Sequence, residues 1–394
     1  MRAERAKVAV SAVFLLNGFA FASWVSRVPA LRDTLDLTPG GVGLLLLSLS
    51  AGTLLALPLS GAIVSRLGSG RTVLAGAAAT SIGLLVMAMG LGAGSVVTVG
   101  LGMFIYGTGT SAWDVAMNVE AADVERRLDR TIMPRFHAGF SVGTVLGALA
   151  GAACARFDAS LSVQLVFTVA AVVVVVPVAL RAFLPVVVHD EAVTGPRPSL
   201  LSAWTEPRTL AIGLLVLAFA LCEGIANDWL ALTLVDGYDA DESVGAAGFG
   251  IFVAAMTLGR LFGGTPVERY GRVGVLRATA LLVVAGVLVV VLSPSLPGAL
   301  VGAVLWGLGA SLGFPLGMSA AADEEERAAV RLAVVSSIGY TAFLGGPPLV
   351  GLLADQVGVR QAVLVACGAA ALGLLVSSAS ASQRTAPVAT PPRS

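Results

Sequence analysis

The chain alternates between long apolar stretches and short polar segments. Twelve of the apolar stretches are long enough to cross a bilayer, because about 20 apolar residues in an α-helix span its hydrocarbon core. Their approximate ranges are 8–30, 42–64, 72–92, 95–119, 133–155, 161–184, 209–234, 244–266, 273–293, 297–321, 330–354 and 361–381. The pattern predicts an all-α membrane protein with twelve transmembrane helices, the first of which is retained rather than cleaved as a signal peptide.

The composition agrees with this prediction. Apolar residues make up 57% of the chain and charged residues only 12%, whereas a soluble domain carries about 25% charged residues. The formal net charge of zero argues against a nucleic-acid partner. The three cysteines, Cys154, Cys222 and Cys367, lie far apart in apolar stretches and are interpreted as packing residues. With no metal-site spacing and no nucleotide-binding fingerprint, we expect no metal and no cofactor, and we expect a monomer.

The basic residues are distributed unevenly between the two ends of the predicted helices. If the N-terminus is cytoplasmic, nineteen of the 24 Lys and Arg residues lie on the cytoplasmic side and four lie outside, while Arg260 falls within a span. Cytoplasmic loops carry such an excess of Lys and Arg. The distribution predicts a multi-pass protein of the plasma (inner) membrane with both termini in the cytoplasm.

The longest polar interval divides the chain into two parts of similar length. It covers residues 185–208 and is predicted to be a cytoplasmic linker between two six-helix halves, 1–184 and 209–381. The tail, 382–394, contains three prolines and is predicted to be disordered.

The two halves repeat each other in sequence. At an offset of 200 residues, 107–111 (GTGTS) matches 307–311 (GLGAS), and 139–141 (GFS) matches 339–341 (GYT). The shared offset carries more weight than any single match, because glycine is abundant in this chain. The repeat predicts two parallel six-helix bundles with a substrate site between them near the middle of the membrane.

Several polar side chains lie within the apolar stretches. Such residues are costly inside a membrane and by default mark ion, proton or substrate paths. Asp114 and Asn118 share one helix face, and a charge-dense connector at 120–135, interpreted as a loop, separates them from His137 at similar depth. The candidates for a substrate and proton cavity are Asn17, Asp114, Asn118, His137, Glu223, Asn227 and Asp228.

Glu223 is the leading candidate for the coupling or substrate carboxylate. It lies near the centre of the seventh span, with Asn227 one turn further outward and Asn17 at the equivalent depth in the first span. Burial disfavours the charged form of a carboxyl group. No basic residue is expected at this depth, because Arg260 is predicted to lie toward the cytoplasmic end of the eighth span. Asp228 lies nearer the outer surface, where a gate or a helix-end role is the alternative.

Asp114, Asn118 and His137 also have structural interpretations. Asp114 and Asn118 can simply hydrogen-bond neighbouring helices. A His137 that is bonded to Asp114 is as consistent with the pattern as a proton relay.

Two glycine- and arginine-containing segments follow the second and eighth spans. They read Gly61-x-x-x-Ser65-Arg66-x-Gly68-x-x-Arg71 and Gly264-x-x-x-Glu268-Arg269-x-Gly271-Arg272. These segments resemble the signature loop of the major facilitator superfamily. The resemblance implies a secondary transporter of that fold. The cytoplasmic gate that it implies consists of Arg66, Arg71, Glu268, Arg269 and Arg272. Ser65 stands where the family usually has Asp, which shifts the weight of the gate to Glu268 and Arg269.

Three further stretches are similar to a bacterial inner-membrane branch near the fucose-permease-like sugar:proton symporters: 114–118, 136–143 and 223–229. The resemblance implies a secondary transporter and does not fix its substrate. Because Asn17, Glu223 and Asn227 could hydrogen-bond a neutral polar ligand, we expect alternating-access transport of a small polar solute, sugar-like or another metabolite, coupled to a proton. The alternative is a proton-coupled exporter of drugs or metabolites. Lipophilic cations require a wide, acidic cavity lined by aromatic residues, and only 6% of the residues in this chain are aromatic. No catalytic constellation is recognisable, so an enzyme is not expected.

Overall fold

The computed structural model describes residues 2–129, 132–184 and 200–381, and these fold into helices joined by short turns. In chain order the helices are α1 (Arg2–Val25), α2 (Val28–Thr34), α3 (Pro39–Leu67), α4 (Ser69–Gly92), α5 (Val96–Leu128), α6 (Met133–Arg156), α7 (Leu161–Leu180), α8 (Leu200–Ala203), α9 (Pro207–Tyr238), α10 (Glu242–Phe262), α11 (Gly264–Leu292), α12 (Leu296–Ala310), α13 (Gly313–Ala321), α14 (Glu325–Val357), α15 (Val359–Ala362) and α16 (Val365–Val376).

Eleven helical segments are both long and apolar enough to cross a membrane. Two of them, Leu296–Ala321 and Val359–Ser380, join shorter helices across a break. The twelfth is α5, whose glycines, threonines, Asp114 and Asn118 lower its hydropathy. Its 33 residues extend for about 50 Å at 1.5 Å per residue, which exceeds the thickness of the hydrocarbon core. The prediction of twelve transmembrane helices is confirmed.

Backbone packing confirms the predicted repeat. Gly102 of α5 lies against the backbone of Met87 in α4, and Gly302 of α12 lies against the backbone of Val290 in α11 in the same way. A Cβ atom at either glycine would stand 2.6 or 2.7 Å from the facing backbone nitrogen. Gly302 lies 200 residues after Gly102, and Val290 lies 203 residues after Met87. The two halves therefore have the same internal helix packing.

The connector at 120–135 differs from its prediction as a loop, because α5 remains helical through Leu128. Asp114 lies fourteen residues before that end, or about 21 Å along the helix axis, whereas His137 lies about 6 Å into α6. The expectation that Asp114 and His137 have similar depth is wrong. Charged residues continue the helix here because arginine and glutamate are good helix formers.

The span predicted at 297–321 is broken in the structure at Ser311 and Leu312, between α12 and α13. Its counterpart α5 is continuous. Arg260 of α10 donates from Nε to the Ser311 carbonyl oxygen at 3.1 Å, which satisfies a backbone acceptor at the break. Part of the predicted linker, 200–203, forms the short helix α8. The rest of that linker up to 199, and the tail predicted to be disordered, lie outside the described residues.

The two halves pack against each other near one end of the bundle. We call the end at which α1 begins the terminal end. We call the end at which the two halves pack against each other the opposite end. Gly43 of α3 packs on Pro347 of α14, and Gly250 of α10 packs on Ala148 of α6. These contacts lie in the parts of the four helices that are closer to the opposite end.

Candidate functional site

A cavity of about 200 Å³ lies between the two halves. Its walls come from α1, α3, α9 and α14 and are mostly apolar. The polar and aromatic side chains that line it include those of Phe21, Ser50, Asn227, Asp228, Tyr340 and Phe343. Tyr340 and Phe343 lie side by side, with ring centroids 6.3 Å apart.

Asn227 and Asp228 are half-buried neighbours on the α9 wall of this cavity. Within the described residues, the Asp228 carboxyl group has no hydrogen-bond donor and no basic partner. Gly224, one turn earlier in α9, lines the same cavity. Asp228 is therefore a wall residue of the cavity and does not lie at the end of α9, which continues to Tyr238.

Glu223 has a basic partner, contrary to the prediction from sequence. Arg260 of α10 donates from an Nη atom to Glu223 Oε2 at 2.9 Å. The side chains of Glu223 and Arg260 are 21% and 34% exposed, respectively. The expectation that no arginine lies at the depth of Glu223 is wrong, because the long side chain of Arg260 carries its charge well away from its own Cα atom.

Asp114 projects from α5 into the gap between the halves and is exposed there. Its only hydrogen bond to another described side chain is a weak contact of 3.4 Å from the Asn118 amide. The same amide donates to the backbone oxygen of Asp114 at 2.9 Å. Across the gap, Tyr340 is close enough for electrostatic interaction with Asp114. Neither Asp114 nor Asn118 hydrogen-bonds another helix within the described residues.

His137 is exposed on the same gap, nearer the terminal end than Asp114. Its ring packs edge-on against Phe14, with the centroids 5.3 Å apart. The positive charge of Arg260, in the other half, is close enough to act on the His137 ring. No bond between His137 and Asp114 occurs among the described side chains, so the structural alternative that joins them is wrong.

Asn17 is buried in α1, where only 4% of it is exposed. Its amide nitrogen has no hydrogen-bond partner among the described residues. It is not part of the wall of the 200 Å³ cavity. Of the three residues predicted to share one site, Asn227 and Asp228 line this cavity, whereas Asn17 lies one turn before the lining residue Phe21 in α1.

A buried arginine joins the halves at the opposite end. Arg27, which is 3% exposed, follows α1 and donates to both carboxylate oxygens of Glu242 at the start of α10. It also donates to Gln164 Oε1 at 3.0 Å and to the carbonyl of Ala159 at 3.1 Å. A buried guanidinium that is held by a carboxylate and two further acceptors forms a directional bridge between the halves.

Two further polar contacts lie at the same end. Arg32 in α2 pairs with Asp236 in α9. Asp355 in α14 accepts from the Gly40 backbone nitrogen at 2.9 Å, at the start of α3. Together with the Arg27 bridge, these contacts close the gap at the opposite end.

None of these contacts between the halves was predicted from the sequence. A signal was present in the charges of the two equivalent regions. The segment after α1 carries Arg27 and Arg32 as well as Asp33 and Asp36, whereas the end of α9 and the turn into α10 carry Asp236, Asp239, Asp241 and Glu242 without a basic residue.

At the terminal end, the predicted gate residues do not bridge the halves. Arg66, Arg71 and Glu268 are exposed and make no hydrogen bond to any described residue. Arg269 lies over the ring of Tyr270, 5.3 Å from its centroid. Over the described ranges, ion pairs between the halves occur only at the opposite end.

Arg272 is held within its own half. It donates to Asp323 at 2.6 Å, and Asp323 also accepts from Arg208 at 2.9 Å. This cluster ties the start of α11 to the start of α9 and to the end of α13. Arg272 therefore stabilises the second half in this state.

Within the described residues, no group of three or more His, Cys, Asp or Glu side chains is arranged to hold a metal ion. The three cysteines are free thiols.

A repeated six-helix bundle with a central cavity that is closed at one end defines a multi-pass membrane transporter. Comparison of the sequence with family profiles agrees, since the profile of the Major Facilitator Superfamily matches residues 9–324 and again 229–393. The chain belongs to the Major Facilitator Superfamily.

Relatives of similar length support this assignment. An uncharacterised transporter of Sinorhizobium fredii, y4wD, is 34% identical over 353 residues, which cover 89% of this chain and 92% of the relative. An uncharacterised MFS-type transporter of Yersinia pestis is 30% identical over 376 residues, which cover 95% and 94% of the two chains.

Solved structures share the fold at low sequence identity. A point mutant of the nucleoside transporter NupG has a TM-score of 0.80 at 13% identity and covers 95% of this chain and 99% of its own. A point mutant of the fucose:proton symporter FucP of E. coli has a TM-score of 0.64 at 15% identity and covers 95% and 98% of the two chains. These likenesses concern the fold alone.

Proposed function

We propose that this protein is a secondary active transporter that moves a small polar solute across the inner membrane by alternating access. The observation that supports the proposal most directly is the asymmetry of the central cavity. Ion pairs between the halves close it at the opposite end, whereas the gate residues at the terminal end do not pair across the halves in the described part of the chain. A transporter of this kind exposes its site to one side of the membrane at a time.

The orientation of the chain is part of the proposal. If both termini are cytoplasmic, the structure corresponds to a cytoplasm-facing state. A cysteine introduced by Arg71→Cys is then expected to react only with a reagent added from the cytoplasmic side, and Asp241→Cys only with one added from outside. The reverse labelling pattern would contradict the orientation.

The size of the cavity supports a small solute. The cavity volume of about 200 Å³ is below the range of roughly 300–1,000 Å³ that is usual for drug-sized ligands. Asn227, Asp228 and Tyr340 provide hydrogen-bonding groups on one side of it. A sugar-like or similarly small metabolite fits these dimensions better than a large lipophilic drug.

Proton coupling is assigned to Asp114 in this proposal, with His137 and Glu223 as neighbouring polar groups. A charged carboxyl group is costly where water is displaced, so proton binding changes which state of the transporter is favoured. Glu223 is less suited to this role than the sequence suggested, because Arg260 holds it in an ion pair. Asp114 has no basic partner among the described residues.

When the transporter turns to its other state, the proposal requires the terminal end to close. Arg66, Arg71, Glu268, Arg269 and Arg272 are proposed to form the gate there. Glu268 and Arg269 are exposed in the present state and so are available for new partners.

The test is transport by purified protein in proteoliposomes. A thermal-shift screen against polar metabolites at two pH values first selects solutes, whose uptake is then measured with and without an imposed pH gradient. We expect gradient-driven accumulation by the wild type. Asp114→Asn is expected to lower this accumulation at least about tenfold while still exchanging solute across the membrane.

The matched control is Asp123→Asn, which removes an acid of the same helix that pairs with Arg126 away from the cavity. It is expected to accumulate solute as the wild type does. Unchanged accumulation in Asp114→Asn would contradict the assignment of the proton site. Outward accumulation against the same gradient would favour the alternative, a proton-coupled exporter.

A further inference from the structure

The lining of the 200 Å³ cavity combines an unpaired carboxylate with aromatic rings. Asp228 supplies the carboxylate, with the Asn227 amide beside it. Phe21, Tyr340 and Phe343 supply aromatic rings from both halves. No described lining residue is basic, and no described side chain donates a hydrogen bond to Asp228.

The charges around this site favour a positively charged ligand. Asp114 lies close enough to Tyr340 to interact with it electrostatically, and it also lacks a basic partner among the described residues. The positive charge of Arg260 is already matched by Glu223 at 2.9 Å. Even when Asp114 carries the coupling proton, the Asp228 carboxylate leaves an excess of negative charge next to the cavity, which disfavours an anionic solute.

The aromatic rings act in the same direction. The face of an aromatic ring is electronegative and attracts an ammonium group. A carboxylate removed from water is costly unless a cation accompanies it. Hydroxyl groups of a neutral sugar would hydrogen-bond Asp228 but would leave its charge uncompensated.

On the basis of the proposed transport function, we propose that the solute carries a protonated amino group that binds Asp228, with Asn227 and the aromatic rings beside it. The rest of the solute would lie in the same mostly apolar cavity of about 200 Å³. A divalent metal ion does not fit, since no cluster of three or more metal-ligating side chains occurs among the described residues.

The test compares amines with their hydroxyl counterparts in equilibrium binding to the purified full-length protein. The probes are the pairs glucosamine and glucose, ethanolamine and ethylene glycol, and 2-phenylethylamine and 2-phenylethanol. We expect at least one amine to bind about 10–100-fold more tightly than its counterpart, which is the effect of a hydrogen bond to a charged group. The absence of a preference in every pair would overturn the proposal.

Asp228→Asn keeps the shape of the side chain and removes its charge. We expect it to abolish the preference for the amine, whereas Asp228→Glu retains the charge and part of the preference. If Asp228→Asn fails to fold, Asp228→Ser replaces it. A preference for the amine that persists in Asp228→Asn would overturn the proposal. The same result is expected if Asp228 binds a proton and not the amine.

The matched control is Asp158→Asn. Asp158 is an exposed acid in the turn before α7, at a φ of 54°, a conformation that asparagine also tolerates. It is expected to leave the amine preference unchanged. Amine binding without any gradient-driven transport would contradict the proposed function alone, and transport of neutral solutes without amine binding would contradict this inference alone.

Discussion

Arg260 connects three features of the site. It pairs with Glu223 and donates a hydrogen bond to the Ser311 carbonyl at the break between α12 and α13. Its positive charge also interacts electrostatically with the His137 ring across the gap. Sequence position alone placed Arg260 too far from Glu223, because it specifies the depth of the Cα atom and not the position of the guanidinium. Glu223 is therefore part of an ion pair in this state.

The pair predicts a measurable coupling between Glu223 and Arg260. Glu223→Gln and Arg260→Gln are each expected to lower the free energy of unfolding in detergent, since each leaves a partly buried charge unpaired. The double variant is expected to lose less than the sum of the two, with a coupling of about 1–2 kcal/mol, between the values for exposed and buried pairs. Changes that add to within about 0.3 kcal/mol would contradict the pairing.

Asp114 and Asp228 are two carboxylates without a basic partner among the described residues. Whether the proton and the amine bind different carboxylates or the same one determines the type of coupling. If an amine and a proton bind different carboxylates, both can be present in one transport step, which allows symport. If they compete for the same carboxylate, each displaces the other, which gives exchange. The proposed assignment of the proton to Asp114 and the amine to Asp228 therefore favours symport.

At the scale of helices, glycines allow α6 and α1 to pack backbone to backbone. A Cβ atom at Gly143 would overlap the carbonyl oxygen of Leu15. Gly143→Ala is expected to lower the free energy of unfolding by about 1–3 kcal/mol, the usual cost of overpacking. Differential thermal unfolding in detergent measures the effect.

Gly368 in α16 provides the matched control, because a Cβ atom added there would meet no described atom within 4 Å. Gly368→Ala is expected to be neutral or to stabilise by up to about 1 kcal/mol, since alanine is the better helix former. Equal losses in both variants would show that close packing at Gly143 is not the cause.

The start of α9 is tied to α14 by Glu206. Thr209 and Arg331 each donate to Glu206 Oε2 at 2.7 Å, and Arg327 pairs with the same carboxylate at 2.5 Å. Burial acts to raise the pKa of Glu206, but the hydrogen bonds from Thr209 and Arg331 and the charges of Arg331 and Arg327 outweigh it and lower the pKa below its ordinary value. The folded state therefore favours the ionised form.

A lowered pKa in the folded state means that Glu206 stabilises the protein above its unfolded-state pKa of about 4.3. This stabilisation is lost as the pH falls below that value toward the folded-state pKa. Glu206→Gln is expected to unfold at a lower temperature than the wild type at pH 7 and to show a smaller further loss in acid. Glu4→Gln, which removes an exposed pair with Lys7, is the control. Identical acid profiles for the wild type and Glu206→Gln would contradict the account.

At the scale of the whole molecule, the features that depend on local sequence were predictable. The apolar stretches specified the spans, and the offset between 107–111 and 307–311 specified the repeat that the packing of Gly102 and Gly302 confirms. The contacts between halves were not predictable, because Arg27 and Glu242 are 215 residues apart. Their pairing depends on the tertiary arrangement of two loops.

The first glycines of the two signature loops lie in open space at the terminal end, whereas glycines in the interface between the halves at the opposite end are closely packed. No described atom lies within 4 Å of a Cβ atom added at Gly61 or Gly264, whereas Gly40 and Gly43 at the opposite end meet Asp355 and Pro347. The glycines that begin the two signature loops are therefore unpacked in this state. Their close packing belongs, in the proposed cycle, to the state in which the terminal end is closed.

The central claim is that the two ends open in alternation, and electron-spin distance measurements test it most directly. With Cys154, Cys222 and Cys367 replaced by serine, labels are attached at Ser65 and Thr265 for the terminal end. A second label pair is attached at Thr34 and Asp241 for the opposite end. Arg27→Gln removes the bridge to Glu242, and it is compared with the unchanged background.

In the unchanged background we expect a long distance at the terminal end and a short distance at the opposite end. Arg27→Gln is expected to populate a state in which the Thr34–Asp241 distance is longer and the Ser65–Thr265 distance is shorter. Distances that lengthen at both ends together, or that do not change at either end, would contradict alternating access controlled by this bridge.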